Sequence, residues 1–322
     1  MAANSATPKF DLPLIDISSY GQGQEDRLVE DLMAAGKWPG FFYLVNHEIS
    51  HDEIDKIINF AQSYFKNTSS KEKMKWKNSS GDTGYTDLRD EKLSGLGNGD
   101  LKESYYLSEE NLKKNNIPAE FVAEKQFLDL FVTKCKRVAN TVLHGLSVGL
   151  GLQPDFLSSK HSGERNRLRL IHYPPVEAVS DPDHPSLDIR AGQHSDYGSL
   201  TMLFVSPKDK GGLQVLIDNT WFDVPIIPYT IIFNIGDALE FWTAGMFRST
   251  VHRVLIPRDD SENRDRYSIP FFVQPDTDVI LSPIGSGGDI SKFERILKEK
   301  YPGGMPTTAG EHLQSRIRTT YS

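Results

Sequence analysis

Three side chains in this sequence have the types and spacing to hold a metal ion: His194, Asp196 and His252. In Gln193-His194-Ser195-Asp196 an imidazole and a carboxylate stand two positions apart. On a strand, positions i and i+2 face the same way, so the two side chains converge. One imidazole and one carboxylate hold a metal weakly, and a third ligand must come from another strand. His252, in Ser249-Thr250-Val251-His252-Arg253-Val254, lies 56 residues after Asp196 and is the best candidate. Two histidines and a carboxylate on one octahedral face leave three positions open. That suits non-haem Fe(II) that must bind O2 and a co-substrate together. Taken alone, the pattern is equally compatible with two structural histidines and a structural aspartate.

A second constellation lies 14 residues beyond His252, in Arg266-Tyr267-Ser268. Its Arg and Ser share a strand face. A guanidinium is a planar fork for a carboxylate, and a hydroxyl adds a donor. An inward Arg in a run ending Ile269-Pro270-Phe271-Phe272-Val273 needs an anion. That anion is either the far carboxylate of an iron-chelating keto acid or an Asp of the protein itself. Arg190, four residues before His194, faces an acidic or phenolic substrate or makes a surface salt bridge. Leu203, Phe204 and Phe272 are candidates for a substrate pocket, although most apolar strand residues are core. Asp237 is either a partner of a ligand histidine or a turn cap. His172, pointing opposite to Tyr173, and His47, at a strand end, read as structural.

These side chains need strands to carry them. From Arg167 to about Pro283, short β-type runs alternate with turns: 168–173, 200–205, 213–217, 221–224, 230–234, 250–256, 267–273 and 279–281. Such spacing predicts a sandwich or barrel. The first half reads mainly helical. Leu28, Val29, Leu32 and Met33 recur at helical spacing, with Gly36 as C-cap. Ser50 and Glu53 form a capping-box pattern before a helix at about 51–66. Pro118 opens a long helix with Phe121, Phe127, Leu130, Phe131, Val138, Val142 and Leu146 on its buried face. Gly40–Val45 is a buried strand, residues 78–100 are a long loop or strands with loops between them, Asn234-Ile235-Gly236-Asp237 is a turn, and 291–300 is helical.

Composition narrows the function classes. A formal net charge of −8 with no basic block argues against a nucleic-acid surface. The lone Cys135 excludes an internal disulfide and a Cys-rich zinc site, and reads as a small buried side chain. No run approaches the roughly 18 apolar residues a membrane span needs. The start of the chain lacks a signal-peptide pattern, so the cytoplasm is the expected compartment.

Over some 260 residues the chain resembles the isopenicillin N synthase-like group of Fe(II)- and 2-oxoglutarate-dependent dioxygenases. The stretches that carry this, in order, are Leu12-Pro13-Leu14-Ile15-Asp16, Gly40-Phe41-Phe42-Tyr43-Leu44-Val45-Asn46-His47, Gly84-Tyr85 and Asp100-Leu101-Lys102-Glu103. Then come Leu168-Arg169-Leu170-Ile171-His172-Tyr173-Pro174, His194-Ser195-Asp196, Gly211-Gly212-Leu213-Gln214-Val215, Asn234-Ile235-Gly236-Asp237, Trp242-Thr243, the block around His252, and Arg266-Tyr267-Ser268. The resemblance implies a mainly β fold with a helical surround and a double-stranded β-helix (jelly roll, cupin-like) core. It implies an N-terminal mostly helical region (1–160), the oxygenase core (161–290) and a C-terminal helical segment (291–322), folding as one unit. It implies Fe(II) held by His194, Asp196 and His252 as catalytic ligands. It further implies 2-oxoglutarate bound by Arg266, Ser268 and Tyr173, with O2 as the other co-substrate.

The implied activity is hydrogen abstraction from an unactivated carbon of a small molecule. Hydroxylation, desaturation, cyclisation or ring expansion would follow, with succinate and CO2 released. The flavour is that of fungal secondary-metabolism members, with a partly aromatic or carboxylated natural-product substrate. Three other readings stay open: an iron oxidase of the same fold that uses O2 without 2-oxoglutarate, a non-catalytic ligand-binding barrel and, last, a zinc hydrolase in which the Arg-x-Ser fork has no obvious role. The chain departs from the family pattern at Ile171, where Asn is common, and at Pro39, Glu48 and Ala244.

Overall fold

The computed structural model describes residues 7–321 apart from 19, 22–24, 80, 94–98, 176–189, 257–262, 285–290, 292–293, 296–297 and 299–307. Twelve strands are present among the described residues: β1 (Leu14–Asp16), β2 (Phe41–Val45), β3 (Gly84–Thr86), β4 (Glu103–Ser108), β5 (Arg167–Tyr173), β6 (Ala191–His194), β7 (Leu200–Val205), β8 (Leu213–Ile217), β9 (Thr220–Asp223), β10 (Ile231–Ile235), β11 (His252–Val254) and β12 (Arg266–Val273). They form an eight-stranded sheet, ordered β1-β2-β10-β7-β12-β5-β4-β3, and a four-stranded sheet, ordered β6-β11-β8-β9. One core cluster draws Phe41, Ile171, Tyr173 and Ile232 from the large sheet and Ala191, Val215 and Val254 from the small one, so the inner faces pack together. This is the expected jelly-roll core.

The outer face of the large sheet packs on helices. Leu168 and Leu170 of β5, and Met202 and Phe204 of β7, join a larger cluster with Phe131, Val138, Val142 and Leu146 of the long helix Lys125–Gly149. Strand β5 is therefore buried on both faces, and alternation sends Arg167, Arg169, Ile171 and Tyr173 to the other side.

The structure differs from the sequence reading at several elements. The N-terminal region carries more strand than expected: beside the anticipated β2, and β3 within the 78–100 stretch, β1 and β4 also join the edges of the large sheet. Strand β4 escaped notice because both its faces are covered, which erases hydrophobic alternation. The first helix, Glu25–Lys37, runs through Gly36 instead of stopping there. A Cβ at Gly36 would lie 3.1 Å from the Phe247 ring, so close packing explains this glycine, not chain reversal. The helix expected after Pro118 breaks at Glu124 into Ala119–Ala123 and Lys125–Gly149, and Leu130 faces solvent at 47% exposure. No strand forms at 279–281, where Ile280 makes only an isolated bridge to Thr308. Asn234 and Ile235 end β10, and Gly236 caps the short helix Asp237–Trp242.

The helix His51–Asn67 begins as expected. The Ser50 hydroxyl accepts from the Glu53 amide at 3.3 Å, and the Glu53 carboxylate accepts from the Ser50 amide at 2.8 Å. The span 291–300 lies mostly outside the described residues. A last helix, Ala309–Tyr321, returns the chain to the barrel mouth. No described helix is long and apolar enough to cross a membrane.

Candidate metal centre and co-substrate cavity

His194 and His252 are directly paired residues on the adjacent strands β6 and β11, which places their rings 4.3 Å apart. Asp196 does not lie on a strand, because β6 ends at His194. Its position comes from the next turn, where the Asp196 carbonyl accepts from the Asp237 amide at 2.7 Å. That approach requires Gly236, since a Cβ there would stand 2.2 Å from the Gly198 carbonyl oxygen and 3.0 Å from that of Asp196. The result is convergence: one ligand atom from each of the three residues, all within 4.8 Å of one another. Asp196 Oδ1 is 3.8 Å from His194 Nε2 and 3.7 Å from His252 Nε2.

The remaining atoms of the triad are already engaged. His194 Nδ1 donates to the Gly192 carbonyl at 2.7 Å, and His252 Nδ1 to the Thr250 carbonyl at 3.1 Å. Both Nε2 lone pairs are thereby directed at the shared centre. Burial, and then the charge of His252, hold the His194 imidazole well below its ordinary pKa, which keeps it a neutral ligand. Burial pushes the Asp196 carboxyl up. The two imidazoles and two hydrogen bonds outweigh this, and its pKa lies below the usual value. Its Oδ2 accepts from Thr201 Oγ1 at 2.6 Å and Asn234 Nδ2 at 2.7 Å, which leaves Oδ1 for a metal. Two imidazoles and one carboxylate, converging with room beside them, fit a ferrous ion.

Asn234 was not singled out from the sequence as a site residue. Asp237 was, yet it contacts the site through its backbone amide, while its carboxylate lies 3.3 Å from Arg316. The partner of Asp196 is visible only once β10 and β7 are neighbours, because Asn234 and Thr201 face each other across that pair. Asn234→Ala is expected to lower Fe(II) affinity about ten- to a hundredfold, as loss of a hydrogen bond to a metal ligand generally does. Metal titration of the apoprotein checks it.

A cavity extends from the triad along the barrel interior to Tyr173, Arg266 and Ser268. Arg266 Nη1 donates to Ser268 Oγ at 2.6 Å, and its Nε to the Gly211 carbonyl at 3.1 Å. Both anion expectations bear on this residue, since Asp209 Oδ2 also lies 2.9 Å from Nε. Arg266 Nη2 has no hydrogen-bond partner among the described residues, and the Tyr173 ring lies 5.2 Å from the guanidinium carbon. A fork with its Nε edge held and its other edge toward the cavity fits a carboxylate.

A second cavity shares His194, Asp196, Leu93, Arg169 and Phe272 with the first. Arg167 and Arg169 line it from β5, and Leu313 and Ile317 from the last helix. Arg167 is bound by Asp82 through Nε (3.0 Å) and Nη2 (2.8 Å), while Arg169 reaches Glu91 and Ser104 and lies 4.2 Å from the Tyr106 ring. The alternating Arg167-x-Arg169, on the same face as Tyr173, was a signal available in the sequence. Arg316 contacts Ser195, between two metal ligands, at 3.4 Å, so the last helix is tied to the metal loop.

The remaining sequence candidates fall in different places. Phe272 and Leu203 line the inner cavities. Phe204 is in the outer core, its ring 5.1 Å from Phe131, because it alternates with Leu203. Arg190 lines a separate cavity behind Arg266 that does not include the triad. His172 is structural, bridging Glu103 (2.8 Å) and Asp265 (2.7 Å), and His47 meets the Tyr229 carbonyl at 3.1 Å. Ile171 stands in the wall of the inner cavity and offers no polar contact there.

Residues 165–275 match the family profile described as the 2OG-Fe(II) oxygenase superfamily, and residues 12–127 that of the N-terminal region of non-haem dioxygenases in morphine synthesis. A UPF0676 protein of Schizosaccharomyces pombe is 36% identical, over 97% of this chain and 93% of its own. A 2-oxoglutarate-dependent dioxygenase of Aspergillus rugulosus is 30% identical, over 88% and 90%. The crystal structure of Neurospora crassa T7H in complex with alpha-KG and thymine superposes with a TM-score of 0.80 at 28% identity, covering 95% of this chain and 96% of that one. The geometry built from the residues and the likeness to known proteins agree: the chain belongs to the 2OG-Fe(II) oxygenase superfamily, a dioxygenase that uses Fe(II) and 2-oxoglutarate.

Proposed function

We propose that this enzyme oxidises a small natural product at an unactivated carbon, in the manner of the isopenicillin N synthase-like group and of its fungal secondary-metabolism members. The observation that carries the reading is the sharing of His194 and Asp196 by two chambers. One chamber ends at a carboxylate fork. The other has both polar and apolar lining. In this reading Arg266 and Ser268, with Tyr173 beside them, hold the far carboxylate of 2-oxoglutarate, and His194, Asp196 and His252 hold iron. Iron, 2-oxoglutarate and O2 supply the oxidising power, with release of succinate and CO2.

The chain's own contribution is placement. Phe272, Leu313 and Ile317 give the second chamber an apolar lining that excludes water, while Arg169 and Tyr106 add polar and aromatic contacts. That mixture suits a compact molecule with a ring or carbonyl groups. It accords with the thymine in the Neurospora structure and the dioxygenase role of the Aspergillus relative. The compartment we propose is the cytoplasm. O2 uptake and succinate release, measured over a panel of small metabolites with and without 2-oxoglutarate, test the reading. Succinate in proportion to an oxidised product supports it. Substrate-dependent O2 uptake that proceeds without the keto acid overturns it in favour of an oxidase whose Arg266 grips a substrate carboxylate.

A further inference from the structure

Arg266 is not the only buried cation at its end of the barrel. Arg190 is 3% exposed and lines the same outer cavity as Arg266 and Asp209. Among the described residues its guanidinium donates to two uncharged groups, the carbonyls of Arg264 (2.9 Å) and Pro174 (3.3 Å), and its Nε has no partner. Asp209 Oδ2 lies 2.9 Å from Arg266 Nε yet receives no hydrogen bond, because that N–H is turned to the Gly211 carbonyl. Arg190 and Arg266 repel each other, and Asp209 attracts both. The other cations of the cavity, Lys9, Lys210 and Arg264, are exposed, so water and salt screen them.

The charge balance of the buried set is simple. Among the described residues, two buried guanidinium groups face one largely buried carboxylate, Asp209. Asp265 also attracts Arg190 but is 55% exposed and bound to His172, so solvent screens it, which leaves the buried set with a net positive charge. A buried charge of that kind is costly unless an anion arrives to balance it. Arg266 also lines the inner cavity, where one further carboxylate would complete the balance.

We propose that Arg190 and Asp209 are positioning residues that together set the affinity and selectivity for the distal carboxylate of the co-substrate. Asp209 and the Gly211 carbonyl hold the Nε edge of Arg266, which turns its other edge toward the cavity. Arg190 restores the positive charge that Asp209 cancels. Without Arg190, the arriving carboxylate would meet a neutral Arg266–Asp209 pair. This inference rests on the reading of Arg266 and Ser268 as the co-substrate anchor, and it extends that anchor to two residues outside the Arg-x-Ser motif.

The test is a charge cycle: Arg190→Gln, Asp209→Asn and the double variant. Binding of 2-oxoglutarate to the Fe(II) enzyme is measured calorimetrically without O2. The comparison ligand is 2-oxobutyrate, which chelates through the same keto acid end but lacks the distal carboxylate. Arg190→Gln is expected to weaken 2-oxoglutarate on the order of tenfold, the scale of one close charge interaction at a protein-like dielectric. Asp209→Asn is expected to tighten it several-fold, and the double variant to return close to the wild-type affinity. Binding of 2-oxobutyrate should be the same in all four proteins. The inference is overturned if both single variants weaken 2-oxoglutarate and the double is weakest, the signature of a merely structural pair. Equal shifts for 2-oxobutyrate overturn it too. A wild-type protein that binds iron but not 2-oxoglutarate overturns the anchor reading itself, and this inference with it.

Discussion

Asp196→Ala is expected to leave the purified, reconstituted protein with almost no Fe(II) and no oxygenase turnover. Asp196 is the anionic ligand of the triad, and its Oδ1 lies within 3.8 Å of both imidazole Nε2 atoms. Losing a group that merely supports a ligand costs about ten- to a hundredfold in metal affinity, so losing the charged ligand costs more than about a hundredfold. The substitution also strands Thr201 and Asn234, whose donors both end on Asp196 Oδ2, at roughly 1–3 kcal/mol for each buried group left unsatisfied. Asp196→Asn separates the two effects. It keeps an acceptor for these donors while removing the charge, so the fold stays intact and iron binding still falls. Metal analysis after anaerobic loading, beside a thermal melt, checks both variants. Iron content equal to wild type in the folded Asn variant would remove the triad from the mechanism.

The second large effect is at the other end of the cavity. Arg266→Gln is expected to raise the KM for 2-oxoglutarate by about a hundredfold, while iron content stays that of wild type. A hydrogen bond to a charged group contributes about 1.5–3 kcal/mol, and about 2.7 kcal/mol corresponds to that factor. The residue is 4% exposed and beside Asp209, so the single substitution also takes from that carboxylate its nearest cation. Breaking such a pair costs about 3–5 kcal/mol of stability. Arg266→Gln combined with Asp209→Asn removes both charges and guards against mistaking unfolding for weak binding. Initial rates of succinate formation across a 2-oxoglutarate series decide it. An unchanged KM in a folded variant would mean that the co-substrate carboxylate lies elsewhere.

Several features were legible before any coordinates. The capping box at Ser50 and Glu53, the apolar face of the helix ending at Gly149, and most strands after Arg167 carry local signals, and all are present. Local signals failed where burial or contact came from distant residues. Gly36 reads as a helix end but is a contact for Phe247, more than two hundred positions away. Strand β4 shows no alternation because neighbours cover both its faces. Asp196 converges with His194 through a turn held by Asp237, not through strand alternation, so the expected outcome arose by a different route.

The opening triad shows the same division. Residue types and order, His194-x-Asp196 with a later His252 and Arg266-x-Ser268, determine what chemistry this chain can perform, because ligand and donor identity reside in the side chains themselves. Which groups tune that chemistry was decided only by the tertiary structure. Asn234 and Thr201 on Asp196, Asp209 and Arg190 around Arg266, and Arg316 against Ser195 are placed by pairings between elements far apart in the chain. Their roles depend on distance and burial, which sequence spacing does not encode. A buried charge is governed by whatever lies within a few ångströms of it, and in a jelly roll those neighbours come from strands that are rarely consecutive.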